Sequence, residues 1–557
     1  MKAKFLIIIL SALVAISCKK NTGGGNPNPP PPPEFFSFNS LLVNGLYNGF
    51  NYYGIPDTSG FLVSFSSPVN RSTVNNAVTI RSSSGTLAPF TTQYQKNDSA
   101  ILIRPSSKLS PLTKYTFTVS ADLKSVKGSP LQSSVVVNFL TNIDSTDKFP
   151  RISDEQLLDL VQKQTFKYFW DFAHPVSGLA RERNTSGETV TSGGSGFGIM
   201  SIPVAISRSF ITRSEGLARM QKIVDFLKNK AQKFHGAFPH WMNGTTGAVQ
   251  PFSQKDDGAD LVETSFLMQG LLTARQYFDG TDAAETNLRA DINTLWNGVE
   301  WNFFRQNNQN VLYWHWSPNY QWEMNHQIRG WNEALITYVL AASSTTYTIP
   351  KIVYDNGWAV GSNFINNNSY FNIKLPLGPA YGGPLFFAHY SFLGLNPNGL
   401  KDTYADYQMQ NHNHTLINYN YCKANPKGFF GYSDQNWGLT ASDDLENGYL
   451  AHSPTVDNGV ISPTAAVSSI PYAPAESMRA IRFFYYTLGD KLWKDYGFVD
   501  AFSLKDAWFA DSFLAIDQGP MIVMIENYRS QLLWNLFMSC PEIKAGLQKL
   551  GFTSPFI

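Results

Sequence analysis

The strongest constraint on the fold is a run of acidic residues that leads directly into an apolar segment. Four carboxylates, Asp256, Asp257, Asp260 and Glu263, fall within eight residues, and residues 264–272 follow as an apolar run long enough for a core helix. Charges at the mouth of a buried helix are costly to desolvate unless they are paired or used. The stretch therefore predicts a buried helix that begins with either structural or functional carboxylates.

The residue types leave both interpretations of this run open. Asp260 with Glu263 three positions later is typical of a capping box, and Asp256-Asp257-Gly258 is typical of a turn. Alternatively, Asp256 and Asp260 are a functional pair, because they share a face if the helix begins early and flank its N-terminus if Asp260 begins it.

Length and charge limit the class of protein. A chain of 557 residues is too long for one ordinary core, which predicts two or more domains. Apolar residues make up 43% and charged residues 15%, as in folded proteins, and the net charge of +1 gives no bulk attraction to nucleic acid. The 13 Trp and 26 Tyr suit a core, and they also suit a sugar-binding cleft in which flat rings stack on pyranose faces.

The N-terminus has the pattern of an export signal. A basic start and an apolar run at residues 5–16 end in Ala15-Ile16-Ser17-Cys18, which resembles a bacterial lipoprotein signal. We therefore predict a signal peptide over residues 1–17, lipidation of Cys18, and a lipid-anchored protein of the cell envelope, on the periplasmic side or the outer surface. A plain secretory leader is the alternative. Glycine and proline fill residues 18–34, as in a linker.

Cysteine use beyond the leader is sparse. Only Cys422 and Cys540 remain, and they either pair or stay as free buried thiols. Their spacing does not match a zinc site. His412-Asn413-His414 has no nearby acidic ligands, so we predict neither a metal nor another cofactor.

Residues 35–143 have the texture of a small β-domain. Runs of strand-forming residues at 60–65, 100–103, 115–119 and 135–139 are separated by Ser, Asn, Gly and Pro at short intervals. This pattern predicts an all-β sandwich and resembles bacterial immunoglobulin-like domains. We interpret it as a spacer or packing module, with carbohydrate binding as the alternative.

Residues 144–557 are predicted to be mainly helical. Ser153-Asp154-Glu155-Gln156 is a capping box, and apolar residues follow it at helical spacing. Long loops rich in Gly, Asn, Trp and Tyr alternate with short connections, which favours an α/α-toroid with the loops gathered at one end. Further helices are predicted to start near Ser214, Asp260, Ala283, Gln327, Glu476 and Met521.

A second carboxylate repeats the arrangement at Asp260. Glu333 lies between a polar loop and the apolar residues 334–338. Two carboxylates that enter buried helices are what a paired-carboxylate glycoside hydrolase requires, because one must stay protonated and the other ionised. Residues 178–183 place two arginines around a glutamate, and residues 236–241 mix aromatic rings with an imidazole. Both segments are candidate walls of the same cleft, or an ordinary surface ion-pair turn and a core segment.

From about residue 151 onward the chain resembles glycoside hydrolase family 144, the bacterial β-1,2-glucanases with a glycoamylase-like domain. The motifs that carry the resemblance are TFKYFW (165–170), GLARER (178–183), DDGADLVETSFLMQG (256–270), GWNE (330–333), AIDQGPMI (515–522) and IENYR (525–529). The resemblance implies an (α/α)6 barrel that hydrolyses β-1,2-glucan to sophorose or sophoro-oligosaccharides with inversion, as a monomer without a metal.

The same resemblance implies the site residues. Glu333 is expected to be the general acid, with Asp256 and Asp260 as base or water-positioning pair. Substrate contacts are expected from Arg181, Glu182, Arg183, His240, Trp241, Trp331 and Tyr449. Endo and exo action stay open. A hydrolase for another glucan linkage, similar to a glucoamylase, and a non-catalytic glycan-binding lipoprotein are the alternatives.

Overall fold

The computed structural model describes residues 34–557. The signal peptide and Cys18 lie outside these residues, as does the linker except for Glu34, and the lipid anchor stays a prediction. Within the described part of the chain, no helix is long and apolar enough to span a bilayer. The described chain divides into two compact units, one of residues 34–50, 58–107 and 116–137, the other of residues 51–57, 108–115 and 138–557.

Eight strands between residues 38 and 141 form two four-stranded sheets. The strands are β1 (Phe38–Val43), β2 (Asn51–Ile55), β3 (Phe61–Phe65), β4 (Val78–Ser82), β5 (Phe90–Gln95), β6 (Ala100–Pro105), β7 (Lys114–Val119) and β8 (Val135–Thr141), with the short helix α1 (Val74–Ala77) before β4. The sheet orders are β1-β3-β6-β5 and β2-β8-β7-β4. Phe61 of β3 stacks on Phe117 of β7 with ring centroids 4.5 Å apart. The predicted immunoglobulin-like β-domain is confirmed.

The rest of the chain is mainly helical. Its helices are α2 (Asp154–Trp170), α3 (Ser192–Ser207), α4 (Arg213–Asn229), α5 (Leu261–Tyr277), α6 (Ala283–Asn297), α7 (Leu335–Ser343), α8 (Lys351–Val353), α9 (Tyr407–Ala424), α10 (Pro463–Val467), α11 (Pro474–Arg482), α12 (Gly489–Leu492), α13 (Ala515–Ser530), α14 (Leu532–Met538) and α15 (Pro541–Leu550). The predicted capping box at Ser153 and Gln156 starts α2. The helix predicted near Gln327 begins only at Leu335.

Two kinds of helix alternate along the chain. Helices α3, α5, α7, α10 and α13 are buried around most of their circumference, whereas α2, α4, α6 and α11 bury one face only. Helix α3 packs against α5 and α13, and α5 packs against α7. An inner layer of apolar helices backed by amphipathic ones confirms the predicted α/α-toroid.

Glycines allow the closest approach within the inner layer. A Cβ on Gly196 of α3 would lie 2.2 Å from the carbonyl oxygen of Phe266, and a Cβ on Gly270 of α5 would lie 2.2 Å from that of Gly196. Both glycines are therefore required by the contact between α3 and α5. Gly193 to Gly196, which look like a loop in the sequence, belong to helix α3.

Cys422 and Cys540 are unpaired and buried. Of the two possibilities for these residues, free thiols are the one observed. Burial raises the pKa of Cys540 to about 12, so its thiol stays protonated at neutral pH.

Candidate active site

A cavity of about 430 Å³ lies within the helical part of the chain. Five of the predicted contact residues line it: Glu182, Arg183, His240, Trp241 and Tyr449. The other lining residues are Thr191, Phe252, Glu263, Phe386, Tyr390, Ala441, Ala451, Leu514 and Ile516.

Two predicted contact residues lie elsewhere. The guanidinium of Arg181 packs over the ring of Phe172 at 4.7 Å and donates to the carbonyl oxygens of Phe172 and Gly187. The indole of Trp331 is buried and stacks on Tyr407, with ring centroids 6.0 Å apart. Both side chains therefore support the structure around the cavity instead of lining it.

Asp260 caps helix α5. Its Oδ1 accepts hydrogen bonds from the backbone N–H groups of Val262 (3.0 Å) and Glu263 (2.9 Å). Its Oδ2 lies 3.0 Å from His240 Nδ1 and 3.6 Å from His315 Nε2. Full burial opposes ionisation, but the hydrogen bond from His240 and the charges of the two imidazoles lower the pKa of Asp260 overall. Asp260 therefore caps α5 as predicted, but Glu263 does not complete the predicted capping box. The Asp260 carboxylate also faces two histidines.

His240 is the cation of this cluster. Burial lowers its pKa, but the nearby carboxylates, Glu263 first and then Asp260 and Asp256, raise it to about 9. At neutral pH the partly exposed imidazolium therefore forms an ion pair with the buried Asp260. Its ring lies 4.3 Å from that of Phe252, and Phe252 lies 4.8 Å from Trp241. An aromatic cavity wall of this kind suits the faces of a sugar ring.

Asp256 joins the same cluster through His315. Its Oδ2 lies 3.3 Å from His315 Nε2, and no protein donor in residues 34–557 reaches its Oδ1. Burial, followed by the charge of Asp260, raises the pKa of Asp256 to about 7. Asp256 and Asp260, predicted to act together, are thus brought side by side with opposite shifts of pKa.

These residues also have the spacing of a metal site. Donor atoms of His240, Asp256 and Asp260 lie within 4.8 Å of one another. At neutral pH, however, His240 is an imidazolium, and it must lose one of its two ring protons before a nitrogen can ligate a metal. The other histidine motif gives no metal site, because His412 contacts the carbonyl oxygen of Tyr472 and His414 that of Gly383.

Glu333 lies in the turn that precedes helix α7 and is half-buried. Burial raises its pKa to about 7, and the nearby carboxylates of Glu263 and Asp260 add to the rise. Glu333 also acts electrostatically on Tyr390, which lines the cavity. A carboxyl that keeps its proton near neutral pH beside a cavity has the property required of a general acid.

Glu263 is a cavity residue that the sequence pattern assigned only to capping. Its side chain turns away from the helix start, and its Oε2 accepts from the backbone N–H of Gly193 at 2.7 Å and from the Thr191 hydroxyl at 3.4 Å. A Cβ at position 193 would lie 2.4 Å from this oxygen, which explains the glycine. The sequence signal that could have identified Glu263 as a cavity residue is a charged side chain within an otherwise apolar helix.

The opposite wall contains an ion-pair network. Arg183 donates from Nε to Glu182 at 2.9 Å and from Nη1 to Asp443 at 3.2 Å. Asp443 and Tyr449 are paired across the hairpin formed by Ala441–Asp444 and Gly448–Ala451. Asp443, which the sequence analysis did not identify, thus connects the predicted residues Arg183 and Tyr449.

Comparison with known proteins agrees with this architecture. The family model described as "Putative glucoamylase" matches residues 325–541, and the "Bacterial Ig-like domain" model matches residues 51–141. An exo β-1,2-glucooligosaccharide sophorohydrolase (non-reducing end) of Parabacteroides distasonis is 48% identical over 422 residues, 72% of this chain. The chain spans 58% of the length of that relative.

Two solved structures extend the comparison. The endo-β-1,2-glucanase of Chitinophaga pinensis, in complex with sophorotriose and glucose, is 52% identical, with a TM-score of 0.71 over 73% of this chain and 100% of that chain. A β-1,2-glucanase of Parabacteroides distasonis is 38% identical, with a TM-score of 0.71 over 93% of this chain and 74% of that chain. The chain therefore belongs to the glycoamylase-like proteins of glycoside hydrolase family 144 and carries a bacterial immunoglobulin-like domain on its N-terminal side.

Proposed function

We propose that this protein hydrolyses β-1,2-glucan to sophorose or short sophoro-oligosaccharides. The observation that carries the proposal is Glu333, a carboxyl with a pKa of about 7 that acts on the cavity residue Tyr390, together with the ionised Asp260 that is hydrogen-bonded to the cavity residue His240. One carboxyl that keeps its proton and one that is ionised are the elements of acid–base glycoside hydrolysis. Membership of family 144, with relatives named as β-1,2-glucan hydrolases, supports the choice of linkage.

In the proposed reaction Glu333 protonates the oxygen that leaves with the departing glucose. A water oxygen bonds to the anomeric carbon as the glycosidic bond breaks, which inverts the configuration. The acid and base of an inverting pair stand about 6.5–9.5 Å apart, which leaves room for that water.

Of the two carboxylates predicted as base, we assign the role of general base to Asp256, which takes the proton of the attacking water. Both oxygens of Asp260 are already engaged, one by backbone N–H groups and one by His240, whereas Oδ1 of Asp256 has no protein donor in residues 34–557. Asp260 then acts indirectly, because it keeps His240 charged at the cavity wall.

The test is a panel of linear glucans with β-1,2, β-1,3, α-1,4 and α-1,6 linkages. We expect cleavage of the β-1,2 polymer and turnover of the other three lower by at least about 10³, because a misplaced leaving oxygen loses the alignment with Glu333 on which the rate depends. Chromatography of the products over time gives the mode of action: sophorose from the start indicates exo action, and a shifting ladder of lengths indicates endo action.

Two results of the panel favour the alternatives. Preferential cleavage of another linkage shows a glucoamylase-like or other hydrolase. Binding of β-1,2-glucan without turnover, unchanged when Asp256, Asp260 and Glu333 are each replaced by the amide, shows a glycan-binding protein.

A further inference from the structure

Two carboxyls behind the Arg183 wall have no part in the reaction described so far. Asp500 and Asp517 are 2% and 1% exposed. Within residues 34–557, no protein donor reaches either oxygen of Asp517 or Oδ1 of Asp500. Oδ2 of Asp500 accepts from the backbone N–H of Asp443 at 2.7 Å.

The carboxyls of Asp500 and Asp517 are close neighbours, so that the charge of Asp500 acts on Asp517. Burial, followed by the charge of Asp443, raises the pKa of Asp500 to about 7. Burial and the neighbouring Asp500 raise the pKa of Asp517 further. Near neutral pH the pair therefore keeps at least one proton.

The pair connects three segments that form the cavity wall. Asp517 lies in the first turn of α13, directly after the lining residues Leu514 and Ile516. Asp500 holds the backbone of the hairpin that carries Asp443 and Tyr449. The backbone N–H of Ala515 donates to the carbonyl oxygen of Glu182 at 2.9 Å. The charged and titratable groups that face the pair are Asp443, Arg183, Tyr390 and Tyr449.

Two buried carboxyls at this position are expected to lower the stability of the fold. Buried acidic groups with few donors destabilise a fold, and uncharged groups of similar volume are often tolerated better. Residues that reduce stability at a cavity wall commonly serve function. The same wall bears Arg183 and Tyr449, which line the cavity.

We propose that Asp500 and Asp517 are positioning residues: as a pair of buried neighbouring carboxyls, one of which binds the backbone N–H of Asp443, they hold the Arg183–Asp443–Tyr449 wall in the place where it binds the sugar. The inference rests on the proposed function, because the sugar is the glucan assigned above. The pair contacts the wall and acts through it, while Glu333 and Asp256 perform the proton transfers.

The test compares Asp500→Asn and Asp517→Asn with the parent protein. An amide fills nearly the same volume and removes the ionisable group. We expect a higher Tm in both variants, together with about a tenfold rise in KM for linear β-1,2-glucan and a smaller change in kcat. Binding of sophorotriose, measured by calorimetry, is expected to weaken by the same factor. Asp511→Asn is the matched control, because its side chain is 91% exposed, and it is expected to change none of these values.

Two outcomes overturn the inference. A lower Tm with unchanged KM and sophorotriose affinity assigns the pair a structural role. A loss of kcat of about 10³ or more with unchanged KM assigns it a direct part in the chemistry. A parent protein that does not cleave the glucan contradicts the proposed function instead, and sophorotriose binding still tests the pair separately.

Discussion

Glu333→Gln is expected to lower kcat on linear β-1,2-glucan by about 10²–10⁴ and to leave the fold intact. Glutamine has nearly the same shape as glutamic acid but has no acidic proton for the leaving oxygen. Since Glu333 is half-buried and has no ion-pair partner among residues 34–557, the change removes an unfavourable, partly buried carboxyl and is not expected to lower Tm. Initial rates and thermal unfolding measured on the same preparation check both parts.

The pH dependence of kcat tests the assignment of Glu333 as the acid in a second way. Glu333 works as an acid only while protonated, and burial raises its pKa to about 7. The kcat of the parent is therefore expected to fall as the pH rises through about 7. It is also expected to fall as the pH drops below about 7, where the base Asp256 becomes protonated, and Glu333→Gln is expected to keep this acid limb and to lack the alkaline one. Glu323→Gln is the matched control, because Glu323 is exposed and pairs only with Lys255 among the ion pairs of the described chain. A variant at 333 that keeps parental activity and the alkaline limb shows that another residue is the acid.

Asp260→Ala is expected to lower the free energy of unfolding of the helical domain by about 3–5 kcal/mol. The change removes the cap of α5 and leaves His240 partly buried beside Asp256 and Glu263 without its hydrogen-bonded partner. Activity is expected to fall as well, because the cavity residue His240 loses the carboxylate that holds its ring in position. Asp260→Asn separates the two effects, since asparagine still caps a helix but carries no charge.

The sign of the pH effect follows from the two pKa shifts. The pKa of His240 is raised to about 9, so its contribution to stability is present below its unfolded pKa of about 6.5 and is lost as the pH rises through about 9. The pKa of Asp260 is lowered, so its contribution is lost as the pH falls through the acid range. The Tm difference between the parent and Asp260→Ala is therefore expected to be largest near pH 6 and to shrink towards pH 9. The double variant with His240→Ala is expected to lose less than the sum of the single changes, and additive losses contradict the ion pair.

Local signals in the sequence were enough for the elements of the fold. Strand-forming runs between turn residues predicted the β-domain, and the capping pattern at Ser153 predicted the start of α2. Asp260 before an apolar run predicted the start of α5, because capping is decided by residues next to each other in sequence. Glu333 was also identified from its neighbours in sequence, because it lies between a polar loop and the apolar residues 334–338.

The walls of the cavity could not be predicted in this way. Asp443, Asp500 and Asp517 come from three separate segments and meet only through tertiary packing. Trp331 lies two residues before Glu333 in sequence, yet its indole is buried against Tyr407, since an irregular loop gives no periodic rule for the direction of a side chain. Glu263 was assigned to capping because its position in the first turn allows that role, whereas Gly193 offers it a backbone N–H across the contact with α3.

The most direct test of the account is the anomeric configuration of the first products from linear β-1,2-glucan, followed by proton NMR within the first minutes of the reaction. Hydrolysis by Glu333 as acid and Asp256 as base, with water attacking from the opposite face, predicts that the new reducing ends appear as the α-anomer and reach the β-anomer only by later mutarotation. New reducing ends that appear as the β-anomer contradict the inverting mechanism, and their complete absence contradicts hydrolysis itself.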